Sequence, residues 1–208
     1  LSVSNSLIYE VGESHSPLYS TLQRLLQVLS CESSVRVDIG LRGECSTISS
    51  LLRTNISSES TTMKNCESLK KLIHKNSEYI DVLLDFDLCE TILGIMRTHS
   101  KNTSVLVECI LITLYMVNNS SNFAARLDTS GGIEAIVGSM RRYIVVLFDC
   151  PTNLRFVGLS LRLVHALATT ANRKEKFQAA GAPEVITEVF KIGINKWDEG
   201  LIMWCNSA

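Results

Sequence analysis

The stretch Thr129-Ser130-Gly131-Gly132-Ile133-Glu134-Ala135-Ile136-Val137 decides the fold, because it joins a glycine turn to the start of an amphipathic helix. A similar stretch, whose Gly181 stands 50 residues after Gly131, is Phe177-Gln178-Ala179-Ala180-Gly181-Ala182-Pro183-Glu184-Val185-Ile186. In both stretches a glycine is followed after three residues by glutamate, which favours the first turn of a helix, and after five by isoleucine. The pair therefore indicates an internal repeat.

The same columns extend towards the N-terminus. The anchor column contains Gly43, Asp87, Gly131 and Gly181, at spacings of 44, 44 and 50 residues. Five positions after the anchors stand Ile48, Ile92, Ile136 and Ile186, and nine positions after them stand Leu52, Met96, Met140 and Phe190. Positions four apart share one helix face, so each anchor is predicted to begin an amphipathic helix. Asp87 followed by Glu90 has the pattern of a capping box.

Longer amphipathic segments lie between the anchors, at about residues 18–30, 62–75, 104–117 and 154–169. Each unit is therefore expected to contain a short helix, a second helix after the anchor and a longer third helix. We expect a single repeat domain over residues 1–208, with units at about 1–34 (partial), 35–76, 77–119, 120–170 and 171–208 (partial). Because the chain starts without Met and stops inside an expected third helix, we expect it to be a segment of a longer protein.

Composition favours an all-α protein with a sizeable core. Hydrophobic residues make up 46% of the chain and charged residues 20%, with only 3 Pro, which argues against a fold of short strands and turns. The net charge of -1 provides no overall attraction to nucleic acid, and no stretch is apolar enough to span a membrane. We therefore expect neither nucleic-acid binding nor a membrane span.

The cysteines indicate a reducing compartment. They are odd in number, lie mostly among apolar residues and show no C-x-x-C spacing. This pattern is typical of free, buried thiols in a cytoplasmic protein. The seven residues are Cys31, Cys45, Cys66, Cys89, Cys109, Cys150 and Cys205.

With three expected helices in each unit, the chain resembles the armadillo repeat family, whose repeats are about 40–47 residues long. The two stretches quoted above carry the resemblance, together with Asn172-Arg173 before the second one. The resemblance covers about residues 17–208 and is best in the two later units. It implies an armadillo-like α-solenoid, in which stacked three-helix repeats form a right-handed superhelix and the third helices line a concave groove.

The resemblance also implies a function, namely that of a scaffold or adaptor holding a protein or peptide partner in the groove. Fitting the family pattern Leu-x-Asn-(Leu/Ile) to the third helices predicts the groove residues Gln23, Gln27, Glu67, Lys71, Ile112, Tyr115, Met116, Arg162, His165 and Ala166. Neither ladder column contains Asn or Trp, which disfavours an importin-type receptor and favours an amphipathic helix or a folded surface as partner. In a slipped register, Tyr115, Met116 and His165 would instead be packing residues. An alternative function within the family is nucleotide exchange on a heat-shock chaperone.

Catalysis is not expected. The histidines His15, His74, His99 and His165 have no Cys, Ser or acid at a catalytic offset, and no phosphate-binding loop or metal-ligand spacing is present. No cofactor, metal or small-molecule substrate is expected either. The apolar run from Tyr143 to Phe148 coincides with the longer spacing of 50 residues. It is expected either to lengthen the second helix or to form an exposed patch for a partner.

Overall fold

The computed structural model describes the backbone of residues 33–196, 203, 205 and 206, and the side chains of residues 40–194 and the same three positions. Over these ranges the chain is all-α and has no strand. The chain divides into two compact units, residues 1–43 and 44–208, and the contacts given below lie within the second. The helices are α1 (Ser33–Thr54), α2 (Glu59–Lys75), α3 (Glu78–Leu84), α4 (Leu88–Thr98), α5 (Thr103–Asn119), α6 (Ser121–Thr129), α7 (Gly132–Ile144), α8 (Pro151–Leu167), α9 (Ala171–Ala179) and α10 (Ala182–Lys196).

Three of the four anchor positions are left-handed turns at which a helix begins. The φ angles are 53° at Asp87, 77° at Gly131 and 78° at Gly181, and these residues directly precede α4, α7 and α10. Glycine adopts this conformation without steric cost, which explains its use at two of the positions. Each of the three helices has the predicted glutamate in its first turn.

Two details of the predicted anchors are wrong. Gly43 lies inside α1, which runs without interruption from Ser33 to Thr54, so no second helix begins there. Asp87 makes no side-chain capping bond, and the predicted capping box is not formed. Its carboxylate lies instead 3.7 Å from Arg53 Nη2, while Glu90 binds Arg126 Nη2 at 2.7 Å.

In two of the units the helices follow the predicted order, with a short first helix and a longer third helix. The helices α3, α4 and α5 have 7, 11 and 17 residues, and α6, α7 and α8 have 9, 13 and 17. The predicted third helices at 62–75, 104–117 and 154–169 are confirmed as α2, α5 and α8. The segment predicted at 18–30 lies outside the described residues.

The core consists of the predicted apolar helix faces. Ile92 and Ile136 are 2% and 1% exposed, and Met96 and Met140, one turn later, are equally buried. Ile186 is only half-buried, so its predicted equivalence with the other two isoleucines is wrong. The prediction relied on a helix face alone, whereas burial also depends on what packs against that face.

Several helices that stand one repeat period apart in the sequence pack against each other. Helix α5 contacts both α2 and α8, α7 contacts both α4 and α10, and α6 contacts α3. Hydrogen bonds also join residues that stand about one repeat period apart in the sequence. Ser130 Oγ donates to Glu90 Oε1 at 2.8 Å, and Tyr143 Oη donates to Ser100 O at 3.1 Å. The layer formed by α2, α5 and α8 positions the predicted groove residues.

The apolar run from Tyr143 to Phe148 combines both predicted outcomes. Helix α7 includes Tyr143 and ends at Ile144, and both side chains are buried. The rest of the run forms a turn, in which Val145 is 84% exposed and Phe148 40% exposed. The run therefore supplies the buried end of α7 and two exposed apolar side chains in the turn that follows.

Candidate functional site

The α2 part of the predicted groove is a polar surface. Glu67 and Lys71 are both exposed, and Lys71 Nζ lies 2.9 Å from Glu67 Oε1, one helical turn away. The hydrogen bond and charge of Lys71 lower the pKa of the Glu67 carboxyl below its ordinary value. An exposed pair of this kind contributes little to stability, so both groups are available for contacts with a partner.

The junction between α2 and α5 holds Tyr115 in place. Its ring packs against the His74 ring with centroids 4.2 Å apart, and its hydroxyl donates to Ile73 O at 3.4 Å. Further along the same junction, Lys70 Nζ binds Glu108 Oε2. Tyr115 is half-buried, and two contacts with α2 hold its side chain.

Two predicted groove residues are core residues instead. Ile112 is 1% exposed and Met116 is 0% exposed. The physical reason is that α5 packs against α2 and α8 and also contacts α4 and α6. A partner does not reach either side chain, so both are removed from the candidate surface.

A shift of one residue in the predicted register explains this error. Lys71, Tyr115 and His165 are separated by 44 and 50 residues, the same spacings as the anchors Asp87, Gly131 and Gly181. Lys71 and His165 are exposed and Tyr115 is half-buried. The predicted column with Met116 and Ala166 is thus displaced by one residue on α5 and α8, and Ala166 itself is half-buried.

The C-terminal end of α8 contributes to a surface depression. Arg162 and His165 are exposed on α8, and His165 lines a depression of about 540 Å³ between α8, α9 and α10. Its wall also includes the Lys174, Phe177 and Ile186 side chains. Sequence reasoning missed the α9 and α10 contributions because it assigned the groove to third helices alone. The available signal was the glycine turn at 181, which brings α10 close to the end of α8.

A second depression, of about 430 Å³, lies between α4 and α7. Gly131 and Gly138 form part of its wall, together with the Arg97 and Arg142 side chains. Arg142 Nη1 also donates to Ser100 O at 3.0 Å, which anchors it to the preceding unit. The depression is shallow. It lies between second helices, whereas the groove was predicted on third helices.

The remaining predicted positions, Gln23 and Gln27, lie outside the described residues. The structure therefore brings the predictions together in two places. Glu67, Lys71 and Tyr115 share the α2 and α5 surface, while Arg162, His165 and Ala166 share the last two turns of α8.

The thiols follow the prediction with one exception. Cys89 and Cys109 are buried as predicted, and the cysteines in the described ranges are free thiols. Cys150 is exposed and is the N-cap residue of α8, immediately before Pro151. The Thr152 hydroxyl and the backbone N–H groups of Thr152 and Asn153 lower the pKa of the Cys150 thiol below its ordinary value. Cys31 lies outside the described residues.

The described part of the chain has no group of three or more His, Cys, Asp or Glu residues arranged to hold a metal ion. None of its helices combines the length and the apolar character needed to cross a membrane.

Comparison of the chain with protein-family models, curated proteins and solved structures finds no match in any of the three. Fold family and function are therefore inferred from the repeat pattern and the contacts described above.

Proposed function

We propose that the chain is an armadillo-like α-solenoid, with three-helix repeats in a right-handed superhelix, and that it serves as a scaffold or adaptor for a protein or peptide partner. The left-handed turns at Asp87, Gly131 and Gly181 support the repeat register. The packing of α2, α5 and α8 on one another supports stacking. Stacked repeats bury their apolar faces against neighbours and leave an extended surface for a partner.

The observation that carries the proposal is the column of Lys71, Tyr115 and His165. These side chains repeat with the period of the anchors, lie on three helices that pack side by side, and are accessible. A periodic set of accessible side chains suits a partner that extends along the stack and contacts one unit after another.

The chemistry of the column indicates the kind of partner. Lys71 supplies a cation, Tyr115 an aromatic anchor with a polar tip, and His165 a ring with two nitrogens. Tyrosine is common among the residues that contribute most to binding, because a large rigid surface is buried at small entropic cost. Because Ile112 and Met116 lie in the core, they add no apolar area to this surface. The surface therefore suits an amphipathic helix or a folded polar surface better than a wholly apolar segment.

The test is site-directed photo-crosslinking in a cytosolic extract. A benzophenone amino acid is placed at Tyr115 or at His165, and at Lys191 as a control, since Lys191 is exposed on α10, outside the layer of third helices. The expected result is the same crosslinked protein from both column positions and not from Lys191. Equal crosslinking from all three positions would contradict the proposed surface.

Binding of the purified crosslinked protein then measures the contribution of the column. Lys71→Glu and His165→Glu are expected to weaken binding by at least about tenfold each, which corresponds to about 1.4 kcal/mol. Lys191→Glu makes the same change of charge as Lys71→Glu and is expected to bind like the wild type. If the crosslinked protein is a heat-shock chaperone, release of labelled nucleotide from it distinguishes an exchange factor from a scaffold.

A further inference from the structure

Two buried thiols meet at the junction between α2 and α5. Cys66 on α2 and Cys109 on α5 are each 1% exposed, the two helices pack against each other, and each thiol shifts the pKa of the other. Cys89 is equally buried, but apart from burial the groups that shift the pKa of its thiol are Glu90, Ser130 and Arg126, and not a second cysteine. Cys66 and Cys109 thus differ from Cys89 in that each has a second thiol as its neighbour.

The surrounding contacts hold the two thiols in register. Lys70 lies one turn after Cys66, Glu108 directly precedes Cys109, and Lys70 Nζ binds Glu108 Oε2. These two charged side chains are 29% and 17% exposed, so solvent screens their interaction only partly. Further along the helices, the His74 and Tyr115 rings, tilted by 60° to one another, make a second contact between α2 and α5. The helical turns that carry the thiols therefore cannot slide past one another without breaking both contacts.

The two thiols differ in acidity. The hydrogen bond from Cys109 lowers the pKa of the Cys66 thiol below its ordinary value, although burial and Glu108 oppose this change. The same hydrogen bond and complete burial raise the pKa of the Cys109 thiol. Cys66 is therefore the nucleophile of the pair, since the thiolate is the reactive form, and Cys109 retains its proton.

We propose that Cys66 and Cys109 form an oxidation site at which hydrogen peroxide, or another small hydroperoxide, converts the dithiol into a disulfide that crosslinks α2 to α5. The Cys66 thiolate attacks one peroxide oxygen, the O–O bond breaks, and Cys66 becomes a sulfenic acid while hydroxide leaves. The Cys109 sulfur then attacks the Cys66 sulfur, the S–OH bond breaks, and the proton of Cys109 leaves with the hydroxyl group as water. In sum, two thiols and one peroxide give one disulfide and two waters.

Access to the thiols is expected through α2. This helix buries only four of its 17 side chains, whereas α5 buries nine of 17. A helix with few buried contacts opens locally at lower free-energy cost than one in the centre of a core. Oxidation should therefore be slower than at an exposed thiol and should give one defined crosslink. The proposed site does not depend on the partner-binding function.

The experiment uses the full chain with the substitution Cys150→Ser, which removes the exposed thiol and its intermolecular disulfides. The protein is treated with hydrogen peroxide, alkylated in denaturant and digested without reduction. Mass spectrometry is expected to identify the Cys66 peptide joined to the Cys109 peptide, with the loss of two hydrogens. The thermal midpoint of the oxidised protein should rise by about 10 °C and return on addition of dithiothreitol, because the crosslink restricts the unfolded chain.

Matched variants decide the assignment. Cys66→Ala and Cys109→Ala should abolish the difference in thermal midpoint between oxidised and reduced protein, whereas Cys89→Ala should retain it. Each variant is compared with its own reduced form, so a change in its basal stability does not affect the comparison. The proposal is overturned if both peptides of the oxidised parent protein are recovered as separate alkylated species, or if the disulfide joins either cysteine to a different one.

Discussion

Replacing Gly132 by alanine tests the contact between α6 and α7. Gly132 is the first residue of α7, and a Cβ atom there would lie 2.5 Å from Leu127 Cδ1 and Cγ and 2.7 Å from Leu127 O. The side chain of Leu127 is 1% exposed and has no open space to move into, and its carbonyl belongs to α6. The substitution must therefore push the two helices apart.

Gly138 supplies the matched control in the same helix. A Cβ atom at Gly138 would have no neighbour within 4 Å. The residue is exposed in the interior of α7, where alanine is a better helix former than glycine by about 0.5–1 kcal/mol. Gly138→Ala should therefore raise the free energy of unfolding by about that amount.

The expected cost of Gly132→Ala is about 1–3 kcal/mol, the usual range for inserting a methyl group into a packed contact. The two alanine variants should therefore differ by about 1.5–4 kcal/mol, although their compositions are identical. Urea unfolding followed by far-ultraviolet circular dichroism measures this difference directly. Equal stability of the two variants would show that α6 and α7 do not approach as closely as described.

Four further predictions concern the core and the thiols. Ile136→Ala should lower the free energy of unfolding by about 2–5 kcal/mol, and Ile186→Ala clearly less, because Ile186 is half-buried; equal losses in urea unfolding would contradict the burial pattern. Met116→Glu should abolish cooperative thermal unfolding, since it places a charge in the core; a normal thermal midpoint would return Met116 to the groove. Cys150 should be the fastest described thiol to react with iodoacetamide, and its rate should rise at a lower pH than that of a free cysteine, because its lowered pKa leaves more thiolate. Cys89 should react only in denaturant, and early labelling of it would refute its burial.

Much of the local structure was predictable because it depends on residues close together in the sequence. Apolar side chains four apart predict an amphipathic helix, and a glycine followed by glutamate predicts where that helix begins. The turns at Gly131 and Gly181 and the bounds of α2, α5 and α8 are therefore visible in the sequence. Gly43 is an exception, since no helix begins there. A glycine inside a helix lowers its stability by only about 1 kcal/mol relative to alanine, which the rest of α1 offsets.

The candidate surface depended on tertiary packing. The period of the anchors places Lys71, Tyr115 and His165 in one column, but a helix pattern alone does not say which of two adjacent residues is covered by a neighbour. Helix α5 buries Met116 and leaves Tyr115 at the surface because α2 and α8 pack on either side of it.

Gly132 and the two thiols of Cys66 and Cys109 also show the difference between what the sequence determines and what tertiary packing decides. The sequence by itself determined the helices, their order and the period of their turns, because these follow from backbone conformation and from the spacing of apolar residues along one helix. Only the tertiary structure decided that α6 leaves no room for a Cβ at Gly132, and that Cys66 meets Cys109 across α2 and α5. The physical reason is that both results depend on distances between atoms of different helices, which the spacing of residues along one helix does not specify.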